Sequence, residues 1–296
     1  MRAYSVIDVF GTAPYTGNPV AVVTDGEGLS TEQMQRFAAW TNLSETTFVL
    51  APTVPEADYR VRIFTPVQEL PFAGHPTLGT CHVWLQAQPE GLRGGRRVTG
   101  GVAAQHGGGA VVQEGAVVQQ CDAGLVSLRV ERDRIAFSAP RLLREGPVRD
   151  EPLLEHIAEV LRIERAAIVD AEWADNGPGW VAVMLEDAQA VLAMRPGFVD
   201  LDLGVVGPYP PGSAQAFEVR AFFPKDGTTV EDPVTGSLNA AIAPWLLRSG
   251  RAQSPYVVSQ GTVLGRSGRV HVSREDDGTI WVGGAAVTCV TGQVDL

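Results

Sequence analysis

Cysteine is scarce: Cys81, Cys121 and Cys289 are the only three in 296 residues. An odd number without regular spacing implies no disulfide framework, and no Cys/His cluster with zinc-like spacing accompanies them. Positive charge is also short. Lys and Arg total 23 against 34 Asp and Glu, a formal net charge of −11, which argues against nucleic acid and anionic membrane as partners. No apolar run has the length needed to span a bilayer. The opening residues Met1 to Asp8 read as a strand and not a signal peptide, because Asp8 interrupts any apolar core, and the expected location is the cytoplasm. A phosphate loop is missing too. The glycine-rich tracts (Gly91 to Arg97, Gly100-Gly101, Gly107 to Gly109 and Gly265 to Gly268) never end in Gly-Lys-Ser/Thr between a strand and a helix, and the stretch from Gly91 to Gly109 reads as an exposed loop or hairpin tip.

What is present is a globular composition, 45% hydrophobic and 19% charged. The length exceeds that of one ordinary core and predicts two domains. These are expected at 1–115 and 116–283, with a C-terminal strand at about 284–296 completing the first half. Short β-branched runs alternate with a few helices. In the first half, Tyr4 to Val9, Pro19 to Val23, Thr46 to Leu50 and Tyr59 to Phe64 are strand-like. Ser30-Thr31-Glu32-Gln33 is a capping box before Met34, Phe37 and Ala38 at helical spacing. The second half repeats the plan. Leu125 to Val130, Arg134 to Ser138, Ala167 to Asp170, Trp180 to Leu185 and Ala216 to Phe223 are predicted strands, and Glu151 to Leu161 is an amphipathic helix. Four closing strands follow between Tyr256 and Val290.

Two turn-into-helix segments resemble each other across the halves. Pro71-Phe72-Ala73-Gly74-His75-Pro76-Thr77 runs into a helix ending Trp84-Leu85, and Asp232-Pro233-Val234-Thr235-Gly236-Ser237 runs into one ending Trp245-Leu246. Both helices are apolar on nearly every face and must be buried all round. Pro76 suits the first helical position, which makes His75 the expected cap. A helix start presents unpaired N–H groups and partial positive charge, so two such starts are expected to grip a carboxylate. The titratable residues beside them are open to two readings each. Glu45, in Asn42-Leu43-Ser44-Glu45-Thr46-Thr47-Phe48, is either a solvated loop residue or a carboxylate pushed into an apolar cleft, where it becomes an acid/base near neutral pH. His75 and Asp232 are either helix caps or reacting groups, and Ser237 is either a small residue in a tight helix start or a ligand.

Several blocks resemble the phenazine-biosynthesis PhzF-like isomerase family. They are Phe10 with Gly17-Asn18-Pro19-Val20-Ala21-Val22, the Asn42 to Phe48 block, Arg62 to Pro66, and Glu69 to Gly79. Phe223-Pro224, Glu231 to Ser237, Gln260-Gly261 and Gly265-Arg266 continue the series in order, so the resemblance covers nearly the whole chain. It implies an α+β, diaminopimelate epimerase-like fold of two pseudo-symmetric domains, each a curled mixed sheet wrapped around a central helix, with the active site between them. It further implies that Glu45 is the acid/base, that His75 and Asp232 join it as catalytic residues, and that Gly74, Gly236 and Ser237 bind a small carboxylic acid. No metal, no organic cofactor and a homodimer are implied as well. At Asn176 to Trp180 the chain departs from the phenazine enzymes, which carry arginine and histidine there, so the expected substrate is not restricted to the phenazine precursor. An epimerase or racemase of a small amino or hydroxy acid is the rival on this fold, but its paired thiols have no counterpart in either turn. A non-catalytic binding or scaffold protein is opposed by the joint presence of Glu45, His75, Asp232 and Ser237.

Overall fold

A computed structural model describes residues 1–88 and 115–296. The glycine-rich tracts between Gly91 and Gly109 lie outside the described residues. The chain divides into two compact units, one of Met1–Val9, Pro19–Ser138 and Gly283–Leu296, the other of Phe10–Asn18 and Ala139–Val282.

In the first unit, strand Arg2–Val9 runs antiparallel to the C-terminal strand Ala286–Val294. Strand Glu45–Leu50 pairs parallel with Asn18–Val23 and antiparallel with Tyr59–Phe64. Tyr59–Phe64 shows why these residues form strands: Tyr59, Val61 and Ile63 are buried while Arg60 and Arg62 alternate outward. The surface helix α1 (Thr31–Thr41) begins as its sequence predicts, with Ser30 and Gln33 exchanging both capping-box hydrogen bonds and Met34, Phe37 and Ala38 buried. Helix α2 (Gly74–Ala87) packs against Arg2–Val9, Glu45–Leu50, Gly115–Cys121 and Ile135–Ser138. A glycine makes that approach possible. A Cβ on Gly79 would stand 2.4 Å from Val20 Cγ1 and 3.2 Å from Val9 Cγ2. The few polar groups of α2 are bonded inside the unit: Gln119 Nε2 donates to Thr77 Oγ1 at 2.9 Å, and Thr80 Oγ1 donates to Thr47 Oγ1 at 2.8 Å.

In the second unit, helix α3 (Glu151–Leu161) and the short helix α4 (Ala188–Ala193) share a core with Val183, Val205 and Phe222 of the sheet. Helix α5 (Gly236–Arg248) packs against Asp170–Asp175 and Gly268–Arg274. The strand Leu203–Pro208 was not legible in advance because its two glycines weaken strand propensity. Both are needed for contact: a Cβ on Gly204 would lie 2.5 Å from Leu238 Cδ1, and one on Gly207 would lie 2.2 Å from the Asp187 carbonyl. Elsewhere the predicted strand at Ala167 to Asp170 is corrected. A 3₁₀ turn occupies Arg165–Ala167 and the strand starts at Asp170. Strands Gly115–Cys121, Arg144–Pro147 and Thr228–Asp232 are further additions.

Candidate active site

Both central helices start on an extended residue whose side chain makes no cap: Ala73 for α2 and Thr235 for α5. His75 is therefore not the cap its neighbour Pro76 suggested. The chain is already helical at Gly74, and the imidazole is released from capping to face a different group. That group is Glu45. Its position follows from the αL residue Asn42, which ends α1, and from the parallel pairing that sets Glu45 opposite Val20 at the start of its strand. His75 Nε2 and Glu45 Oε2 stand 3.2 Å apart, with side chains only 6% and 15% exposed.

Burial pushes the His75 imidazole down from 6.5 to about 3, only partly opposed by a hydrogen bond to the backbone of Pro19. Proline has no N–H, so the ring donates to its carbonyl, and with Nε2 facing Glu45 the donor is Nδ1. The contact is thus between a carboxyl group and a neutral imidazole, not an ion pair, despite its length being within ion-pair range. Nε2 of that tautomer carries a lone pair. A protonated Glu45 carboxyl could therefore donate to it.

In the second unit, Asp232 ends the strand Thr228–Asp232 and is held by amides and a hydroxyl. Asn18 Nδ2 donates to Oδ1 at 2.8 Å and Thr235 Oγ1 donates to Oδ2 at 2.6 Å. Burial raises the Asp232 carboxyl from 3.8 to about 6, with these two donors pulling the other way and Glu231 adding a small rise. Some surface of the residue stays accessible, but its carboxyl lies deep enough among protein atoms for desolvation to dominate. Asp232 does not cap α5. It binds the side chain of the residue that occupies the cap position.

Ser237, in the first turn of α5, makes no hydrogen bond to Asp232 that would merge their roles. Its Oγ accepts from Trp180 Nε1 at 3.2 Å, and its carbonyl accepts from Asn176 Nδ2 at 2.9 Å. Indole N–H can only donate, so the Ser237 hydroxyl keeps its own proton for another acceptor. The loop that supplies these groups is shaped by Asp175, whose Oδ1 accepts from the N–H of Gly177 at 2.7 Å and of Gly179 at 2.9 Å. Gly177 and Gly179 have φ of 138° and 92°, values open to glycine and costly for other residues.

Thiol chemistry has no support at either helix start. Cys81 is fully buried in α2 and its thiol is pushed well up by burial, while Cys121 is raised for the same reason. Among the described residues no group of His, Cys, Asp and Glu is arranged to hold a metal ion, and no helix is long and apolar enough to cross a membrane. Sequence reasoning gave no role to Asn239, named Asn176 and Trp180 only as a departure from the family pattern, and met Thr235 only as part of the Asp232 to Ser237 turn. Asn18 and Gln260 stood inside recognised blocks, yet amides carry no periodic signal, and their partners lie far away in the chain.

The family model described as phenazine biosynthesis-like protein matches residues 7–292. Antisense-enhancing sequence 1 of Schizosaccharomyces pombe is 33% identical, over 99% of this chain and 98% of its own. Trans-2,3-dihydro-3-hydroxyanthranilate isomerase of Pseudomonas aeruginosa is 34% identical, over 94% of this chain and 92% of its own. Among solved structures, a PhzF-family phenazine biosynthesis protein of Bacillus anthracis superposes with a TM-score of 0.79 at 21% identity, covering 100% of this chain and 99% of that one. With an α+β, diaminopimelate epimerase-like fold and this match across nearly its whole length, the chain belongs to the PhzF family of isomerases.

Proposed function

We propose that this isomerase moves a proton and a double bond within a small carboxylic acid, with Glu45 as the group that removes and returns the proton. The observation that carries the reading is the pair of buried His75 and partly buried Glu45, 3.2 Å apart beside the start of α2. A double-bond shift takes one proton from carbon and delivers one to another carbon. A carboxyl group held over one face of the substrate does both, and holding it there turns a bimolecular transfer into a local one. His75, kept neutral by burial and fixed in tautomer by the Pro19 carbonyl, presents a lone pair to Glu45. It accepts a hydrogen bond from the Glu45 carboxyl when that group is protonated, which holds the carboxyl in one orientation for its exchange with the substrate.

Asp232 is assigned as the second catalytic carboxyl. Its rise to about 6 leaves it able to exchange a proton near neutral pH. Gly74, Gly236 and Ser237 are assigned to the substrate carboxylate, through backbone N–H groups at helix starts that no side chain caps and through the Ser237 hydroxyl. The relative named for dihydro-hydroxyanthranilate isomerisation indicates the size and acidity of the ligand class. The Asn176 to Trp180 loop, with neutral Asn176 and Trp180 against α5, favours a family substrate other than that compound. The test is turnover in deuterated water with a panel of small unsaturated carboxylic acids. The product should carry solvent deuterium at carbon, and Glu45→Gln should remove that label while circular dichroism stays unchanged. Label retained in the variant would assign the proton transfer to another residue.

A further inference from the structure

The hydrogen bond that Asp232 receives from Thr235 has a direction, and that direction is set one residue further back. Gln260 ends the strand Tyr256–Gln260 with no exposed surface, and Asn239 and Thr235 are 1% and 5% exposed. The backbone N–H of Thr235 meets Gln260 Oε1 at 3.1 Å. A backbone N–H can only donate, so this atom of Gln260 is the oxygen and the amide has one orientation. Asn239 agrees: its Nδ2 donates to the Thr235 carbonyl at 2.8 Å, an acceptor that cannot reverse, and also to Gln260 Oε1 at 2.9 Å. Gln260 Nε2 must then donate on its other side, to Thr235 Oγ1 at 2.8 Å and to the Asp232 carbonyl at 3.2 Å. Because the Thr235 oxygen is receiving, its single proton goes to Asp232 Oδ2. Asn18 is fixed in the same manner, its Nδ2 held by the Val234 carbonyl at 2.9 Å while donating to Asp232 Oδ1.

We propose that Gln260 is a positioning residue for Asp232, acting through the Thr235 hydroxyl to keep a hydrogen-bond donor aimed at the carboxylate. The proposal rests on the assignment of Asp232 as a catalytic group. Donors on both oxygens favour the ionised form and oppose the desolvation that favours the neutral one, so the relay sets where between these limits Asp232 titrates. Few charges compete with it. On its own strand Asp232 is followed back by Glu231, which is paired with Arg220 of the neighbouring strand through bonds of 2.9 and 2.8 Å. Gln260 and Asn18 are uncharged, and the first turn of α5 holds no acidic residue. Arg266 directs its guanidinium to the carbonyls of Tyr15 and Gly17.

Gln260→Glu tests the relay with almost no change of shape. The oxygen facing Thr235 N–H is retained, but the donor facing the Thr235 hydroxyl becomes an acceptor that competes for its proton. The readout is the carbonyl-carbon NMR titration of the Asp232 side chain, assigned by its loss in Asp232→Asn, together with the pH profile of kcat/KM. Gln260→Glu should raise the Asp232 midpoint by about one pH unit, and by much less when Thr235 is already Val, where only the added charge acts. Equal shifts in the two backgrounds would overturn the proposal. Should Gln260→Glu fail to fold, the unsubstituted protein decides. The Gln260 side-chain amide protons should then titrate with the Asp232 midpoint and do so much less in Thr235→Val, where only the bond to the Asp232 carbonyl remains, and amide signals indifferent to pH would overturn the relay. If Asp232→Asn keeps full turnover while the coupling is seen, the catalytic assignment fails and the relay stands. If Asp232→Asn is inactive and the shifts are additive, the assignment stands and the relay fails.

Discussion

The starts of α2 and α5 share a plan and treat their titratable groups in opposite ways. Each helix opens with glycine after an extended residue that offers no side-chain cap. At α2 the imidazole of His75 is stripped of solvent and meets one carboxyl group, so burial alone drives it to its neutral form. At α5 the Asp232 carboxyl is also removed from water, but amide and hydroxyl donors from Asn18 and Thr235 restrain the shift. Desolvation acts on both. What differs is how far neighbouring dipoles resist it, one backbone carbonyl at His75 and two side-chain donors at Asp232, so one motif holds a neutral imidazole in one place and a carboxyl raised to about 6 in another.

The comparison breaks most visibly in turnover. Glu45→Gln should lower kcat by about a thousandfold or more, because the amide retains shape and cannot transfer a proton. Asp232→Asn should cost about ten- to a hundredfold, because it removes one proton-exchanging group while Glu45 remains. Steady-state rates on the substrate found by deuterium incorporation measure both, and a larger loss for Asp232→Asn would exchange the two roles.

A second difference is in stability against pH. The folded His75 lies below its ordinary 6.5, so its contribution to stability is complete above 6.5 and is lost as pH falls toward 3. Asp232 has the reverse sign. Its folded value lies above 3.8, so its contribution is present below 3.8 and is lost as pH rises through about 6. At neutral pH the ionised Asp232 therefore costs at most roughly 3 kcal/mol, less some solvent screening. Asp232→Asn should raise the unfolding temperature at pH 8 and lose that advantage by pH 4, as followed by calorimetry. His75→Gln should flatten the acid limb between pH 6.5 and 3. Opposite slopes in the two variants support the contrast, and parallel slopes remove it.

Smaller effects sharpen it. Trp180→Phe keeps an aromatic ring and deletes the N–H that orients the Ser237 hydroxyl, so KM should rise by a few-fold to about tenfold with kcat little changed. Unchanged KM would detach Ser237 from substrate binding. The smallest effect is expected from replacing Cys81, Cys121 and Cys289 with alanine or serine. Activity should persist, with some stability lost at the buried Cys81 and Cys121. Loss of turnover from one cysteine in a folded protein would return thiol chemistry to consideration.

Much of this molecule was legible before folding. The capping box at Ser30, the alternation in Tyr59–Phe64 and the all-round apolar character of α2 and α5 follow from local sequence, because each is a property of neighbours along one element. The Glu45 to Phe48, Pro71 to Thr77 and Asp232 to Ser237 blocks marked the residues worth attention and the family they resemble. What sequence could not determine is which way those residues turn. Pro76 pointed to His75 as a cap, whereas the helix begins a residue earlier and the imidazole is free to meet a carboxyl group from a strand. Leu203–Pro208 was not among the predicted strands, and the close approach of Leu238 and the Asp187 carbonyl is what its two glycines accommodate. Asp232 carries no sign of its titration in the letters around it. That value depends on burial and on donors that include Asn18, 214 residues away, through a hydrogen bond that exists only after strands and helix have packed. Local sequence sets periodicity and propensity; desolvation and bond direction are set by atoms that tertiary structure alone brings within 3 Å or so of one another.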